Sequence, residues 1–187
     1  LRDEIQRFAS PGLELPARWS YWWEYGPSPI FSVVEKDDNK VIRLWCDDDG
    51  NQLRCPVEFE ADPKTYLSWR WNVVKLPQGE PENRLEAHNY ISIAVEFDSG
   101  KDVTYFWSSS LPVDTAFRCP YPDWTDKEVH IVVESGGAKL GQWLEERRNV
   151  YEDYLRFFGD EPGKIVSIWL IANTIQNDGL AEAYFCL

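Results

Sequence analysis

Glu96 and Glu146 are the carboxylates that strand periodicity places best for acid and base work, and Trp169 is the aromatic best placed to meet a flat ligand face. Hydrolysis of a glycosidic bond needs two carboxyl groups about 5–10 Å apart on one bond, the chemistry such a pair would supply. An outward strand glutamate more often only solvates a sheet, so the pair alone does not define an enzyme. If Val166, Ile168, Leu170 and Ala172 face the core, then Ser167, Trp169, Ile171 and Asn173 share the opposite face of the same strand. A sugar ring lays its C–H face on an indole while Arg, Asn and Glu bond its hydroxyls. Arg70, Asn72, Ser92, Glu146, Trp169 and Asn173 therefore form the expected carbohydrate-binding set. The same periodicity also permits burial of Trp169 beneath another element.

Other site chemistries fit poorly. Gly136-Gly137-Ala138-Lys139-Leu140-Gly141 is glycine-rich, but Gln142 follows where a phosphate-binding loop needs Lys and then Ser or Thr. With two histidines, His88 and His130, and no Cys-x-x-Cys or His-x-x-x-His spacing, no metal ligand is assigned. Asp47, Asp49 and Asn51 alternate like the start of a calcium loop, yet Gly50 precedes Asn51 where the loop needs its glycine to follow, so a solvated turn is expected. Jelly-roll sandwiches can hold a structural calcium elsewhere, and the sequence locates none. No other cofactor is expected.

The elements that must position these residues read as strands. From Thr65 to Val73 the side chains alternate with a period of two: Leu67, Trp69, Trp71 and Val73 point one way, and Ser68, Arg70 and Asn72 the other. Ile91, Ile93, Val95 and Phe97 repeat the pattern, as do Val103, Tyr105 and Trp107. Further strands are expected at 30–35, 41–46, 54–59, 129–133, 142–148, 165–174 and 181–187, with a turn at Asp37-Asp38-Asn39-Lys40. Asn149 followed by Glu152 caps a short helix over 150–158 that Gly159 closes, and Leu1 to Phe8 can form another. The aromatic run Trp19 to Tyr25 is expected to plug one end of the fold, with ligand contact or partner docking as the other uses of such a cluster.

At 187 residues, one domain is expected, with 1–28 as a peripheral segment. Strands without a βαβ rhythm predict an all-β, antiparallel β-sandwich of the jelly-roll, galactose-binding or carbohydrate-binding-module type, with one or two short helices. The balance of 19 Lys and Arg against 32 Asp and Glu, a formal charge of −13, opposes phosphate-backbone binding and an anionic membrane surface. Nucleic acid and membrane are thus excluded as expected partners, and the oligomeric state is left open. If Gly50-Asn51 made a tight hairpin turn, Cys46 and Cys55 would face each other and could form a disulfide, with buried thiols as the alternative; Cys119 and Cys186 cannot be paired from sequence.

The blocks Tyr66-Leu67-Ser68-Trp69-Arg70-Trp71-Asn72-Val73, Trp107-Ser108-Ser109-Ser110-Leu111-Pro112, Gly141-Gln142-Trp143 and Arg148-Asn149-Val150-Tyr151-Glu152-Asp153-Tyr154, with Phe158-Gly159, resemble domain-of-unknown-function family 3047 from about Val41 onward. The resemblance implies an exported bacterial protein, secreted or periplasmic, with a signal peptide removed. Where that family typically carries paired Asp and an Arg, this chain has Ala87, His88 and Ser92. Where it carries Asp-Thr-Asp-Asn, this chain has Asn173-Thr174-Ile175-Gln176. The lost charges favour binding over catalysis. The expected function is non-catalytic carbohydrate binding, with a polysaccharide-acting enzyme using Glu96 or Glu146, or a structural and interaction domain, as alternatives.

Overall fold

In the computed structural model, which describes residues 15–22, 26–78, 81–84, 90–175 and 179–186, two β-sheets pack face to face. The strands are β1 (Ser20–Tyr21), β2 (Phe31–Lys36), β3 (Asn39–Asp47), β4 (Gly50–Glu60), β5 (Tyr66–Lys75), β6 (Ser92–Phe97), β7 (Asp102–Ser108), β8 (Ala116–Arg118), β9 (Glu128–Ser135), β10 (Leu144–Asn149), β11 (Lys164–Asn173) and β12 (Leu180–Cys186). One helix, α1 (Val150–Phe158), follows β10. The seven-stranded sheet runs β1-β4-β11-β6-β7-β9-β8 and the five-stranded sheet β10-β5-β12-β3-β2. The expected sandwich is observed, with one departure: β7 and β9 pair in parallel, because the chain leaves β7 by a long loop and returns through β8 at the sheet edge. The proposed helix at Leu1 to Phe8 lies outside the described residues.

Alternation in the sequence becomes the two inner faces. Trp69, Trp71 and Val73 of β5 meet Ile91, Ile93, Val95 and Phe97 of the β6 region and Val103, Tyr105 and Trp107 of β7, all buried in one core. Trp71 is fully enclosed, tilted against Trp107 with centroids 5.5 Å apart and edge-on to Trp69 at 5.7 Å. Its truncation to Ala would cost about 3–5 kcal/mol. Trp19 and Tyr21 join this core, and the Tyr21 hydroxyl donates to the Ser28 and Phe31 carbonyls, so these two aromatics are buried for packing, while Trp22 packs outside it against Trp169. Trp23, Glu24 and Tyr25 lie outside the described residues.

Local signals hold where they were strongest. Asp37 and Asp38 take φ of 52° and 62°, the paired left-handed geometry of a tight hairpin turn, and Lys36 registers on Asn39. Asn149 Oδ1 accepts from the Glu152 amide at 3.2 Å, and Gly159 closes α1 at φ 81°. Below the cap, Arg148 makes a two-pronged contact with Asp153, which also accepts from the Tyr105 hydroxyl at 2.9 Å. This network fixes the helix on the sheet.

The expected disulfide is corrected. Strands β3 and β4 belong to different sheets, so Asp47 to Gly50 is a corner between layers and not a hairpin turn. Cys46 registers on Ala181 in one sheet and Cys55 on Ile168 in the other, and both are free thiols. The Cys46 thiol instead donates to the Asp49 carbonyl at 3.0 Å. The would-be calcium ligands are spent locally: Asp49 Oδ1 accepts from the Gly50 amide, and Asn51 Oδ1 from the Gln52 amide.

Candidate functional site

The six residues expected to share one face lie on three. Register and alternation put Arg70 and Asn72 on the outer face of the five-stranded sheet, and Ser92, Trp169 and Asn173 on the outer face of the seven-stranded sheet. Glu146 registers on the core residue Trp69 and points inward, where Trp71 Nε1 donates to it at 3.3 Å. Burial raises the Glu146 carboxyl above its ordinary range; the Trp71 bond opposes this and the charge of Glu134 adds to it. Glu96 lies on the outer side of the other sheet, so Glu96 and Glu146 cannot address one bond.

Trp169 is not an open platform. It is 9% exposed, edge-on to Trp22 at 4.9 Å, with the Arg54 guanidinium 5.5 Å above its ring. Its indole N–H donates to Glu96 Oε2 at 2.9 Å, and Arg54 Nε donates to Ser167 Oγ at 2.8 Å. Ser92 beside it is fully buried. This flank is packed rather than open, which removes the stacking role assigned to Trp169.

The open aromatic face is the other one. Across the outer side of the five-stranded sheet, Arg147 on β10 lies 3.5 Å over the Tyr66 ring, and Arg70 on β5 lies 5.4 Å over Trp143. Trp143, just before β10, reaches across the sheet and donates its Nε1 proton to Asp37 Oδ2 at 2.7 Å in the β2–β3 turn. Lys36 stands 4.4 Å over Tyr184. In the middle, Glu182 Oε1 accepts from Arg43 Nε at 3.0 Å and from the Tyr184 hydroxyl at 2.8 Å. Burial, followed by the contact with Glu182, pushes the Tyr184 phenol up. Trp45, paired with Glu182, is 38% exposed, and Arg70, paired with Cys186 towards the other end of β12, is exposed on the same face. Asn72 shares the face but is covered, donating to the Gly141 carbonyl at 3.0 Å.

The sequence reading identified Arg70 here and missed Trp45, Trp143, Arg43 and Glu182. Alternation in 39–47 would have put Arg43 and Trp45 on one side, but nothing in the spacing tells which strands of a sandwich become neighbours. The face presents flat π-faces, fixed donors and two anchored carboxylates, Glu182 and Asp37.

A second polar group lies on the outer side of the seven-stranded sheet. Glu96, Asp102 and Glu128 occupy successive register positions on β6, β7 and β9. Burial pushes Asp102 well above the usual carboxylate range; Glu128 reinforces the shift and the Thr104 hydroxyl opposes it. His130 Nε2 is 3.2 Å from Glu128 Oε1, and Cys119 lies alongside.

The fold defines the class first: this is a jelly-roll β-sandwich. The xyloglucanase domain of NopAA, a type three effector from Sinorhizobium fredii solved in complex with cellobiose, superposes with a TM-score of 0.50 at 12% identity, over 91% of this chain and 90% of that one. A mutant of ENZbleach xylanase superposes with a TM-score of 0.36 at 13% identity, over 94% of this chain and 81% of that one. No curated protein matches the sequence. Residues 25–186 match the family described as protein of unknown function (DUF3047), and the chain belongs to that family.

Proposed function

We propose that this protein binds carbohydrate without turning it over, through the outer face of the five-stranded sheet. Trp45 and Trp143 offer ring faces to the sugar C–H surfaces, while Arg70, Arg43 and Glu182 bond hydroxyls. The observation that carries the reading is the exposed indole of Trp45 beside the Arg43–Glu182–Tyr184 network, on the same open face as Arg70 and Trp143. An array of polar groups already bonded to one another loses little side-chain freedom on meeting a ligand, which favours affinity. The carbohydrate acts outside the cytoplasm in this reading, as the family resemblance implies. Cellobiose, the ligand of the like-folded NopAA domain, sets the first probes: calorimetric titration of cello- and xylo-oligosaccharides. Saturable binding with no reducing ends released supports the proposal, and absence of binding across a broad glycan array contradicts it.

A hydrolytic reading has one observation in its favour. Glu96 and Asp102 stand directly opposite each other on β6 and β7. Opposed positions put the Cβ atoms about 5 Å apart, and a glycosidase pair needs its carboxyl groups about 5–10 Å apart on one bond. Release of reducing sugar that Glu96→Gln abolishes would favour it.

A further inference from the structure

We infer that Cys119, Glu128 and His130 form a binding site for a single transition-metal dication, of which zinc is the best match. The three side chains are buried, and one ligand atom from each lies within 4.8 Å of the others. Thiolate, imidazole and carboxylate together are a zinc donor set, and bonds of about 2.0–2.3 Å to a tetrahedral ion separate neighbouring ligand atoms by about 3.3–3.6 Å. The 3.2 Å between His130 Nε2 and Glu128 Oε1 already matches such an edge.

The surroundings hold the ligands in place. Glu128 and His130 are alternate residues of β9 and share its outer face, while Cys119 follows β8, with its amide bonded to the Glu128 carbonyl at 3.0 Å. The Thr125 hydroxyl donates to the Cys119 and Tyr121 carbonyls and locks the connecting turn. Phe117 stacks on the His130 ring at 5.0 Å and an interplanar angle of 4°, and Phe106 meets its edge, which fixes the imidazole plane. Thr104 Oγ1 lies 3.3 Å from Glu128 Oε1 and 3.1 Å from Asp102 Oδ1, so its single proton is shared between two neighbouring carboxylates. A dication here offsets the repulsion between two neighbouring acidic groups. Three protein ligands leave a fourth position for water or an exogenous donor. The Cys119 to Glu128 separation spans a whole hairpin turn, which is why short-spacing motifs do not reveal it.

The site lies on the opposite sheet from Trp45 and Arg70, so its success or failure is independent of the saccharide proposal. The test is titration of the chelator-stripped full chain with Co²⁺ alone and with Zn²⁺ alone. The expected result is saturation at about one ion per chain, a thiolate-to-cobalt charge-transfer band that Cys119→Ser removes, and a Zn²⁺ affinity at least about tenfold weaker in His130→Gln, a loss of roughly 1.4 kcal/mol. Glu146→Gln is expected to bind as the unsubstituted chain does. No saturable binding, cobalt bound without a charge-transfer band, or undiminished Zn²⁺ affinity in a folded His130→Gln variant would overturn the site. The cobalt spectrum of the unsubstituted chain decides even if Cys119→Ser does not fold.

Discussion

Among single residues, Asp153 carries an unusual share of the structure. It is buried, accepts both the Arg148 guanidinium and the Tyr105 hydroxyl, and so links α1, β10 and β7. Removing the carboxylate would leave a half-buried guanidinium with only the exposed Asp114, 3.6 Å away, as an ion partner, so Asp153→Ala is expected to cost about 2–3 kcal/mol in denaturant unfolding. A loss under about 0.5 kcal/mol, the size of an exposed pair, would show that the network adds nothing. Glu82 is a similar case. Fully enclosed, it accepts from the Ser108 hydroxyl at 2.6 Å, the Ser109 amide at 2.7 Å and the Tyr90 hydroxyl, and anchors the segment ahead of β6. Neither role is visible in the sequence, because Tyr105, Ser108 and Ser109 are distant in the chain and are brought to these carboxylates by topology.

At the level of elements, legibility followed contrast. Where apolar and polar residues alternate sharply, as in Leu67 to Val73, the inward set was readable, and the Asn149 cap with Gly159 marked α1 at both ends. Strand β10 has charge on both sides: Leu144, Glu146 and Arg148 turn inward while Glu145 and Arg147 turn out, so polarity gave no cue to its parity. Strand β11 failed differently, since Trp169 and Ile171 face away from the main core yet are buried in a second apolar group with Ala94. The inward Glu146 has a measurable consequence. Its carboxyl is raised in the folded chain, so between the ordinary carboxylate range and that raised value the folded state holds a proton the unfolded state has lost. Stability must therefore decline as pH rises through that window, because ∂ΔG/∂pH takes the sign of protons bound unfolded minus folded. Stability curves against pH for the unsubstituted chain and Glu146→Gln are expected to converge below the window and separate above it, the variant being the flatter; parallel curves would contradict the assignment.

For the whole molecule, the layer arrangement decides what local pattern cannot. A connection that looks like a hairpin, Asp47 to Gly50, moves the chain between sheets, and with it goes the Cys46–Cys55 bridge. All four cysteines are free. Denatured protein is accordingly expected to titrate four thiols without prior reduction, and reductant is expected to leave the thermal midpoint unchanged; a midpoint that falls on reduction would restore a disulfide. The export expected of this chain now rests on the family resemblance alone, since no bridge calls for an oxidising compartment. The sandwich itself was legible, because ten or so short strands with little helix admit few architectures. The choice between its two outer faces was not, since each strand offers the same alternation to either layer.

That choice is the centre of the functional account, and one comparison addresses it directly: the affinity of the best-bound oligosaccharide for Trp45→Ala and for Trp169→Phe, each checked for native folding. Trp45→Ala is expected to weaken binding by at least about tenfold, roughly 1.4 kcal/mol, while Trp169→Phe is expected to leave it within about twofold. Binding that survives the loss of Trp45 but disappears with Trp169→Phe would place the ligand on the seven-stranded sheet and contradict the proposed site.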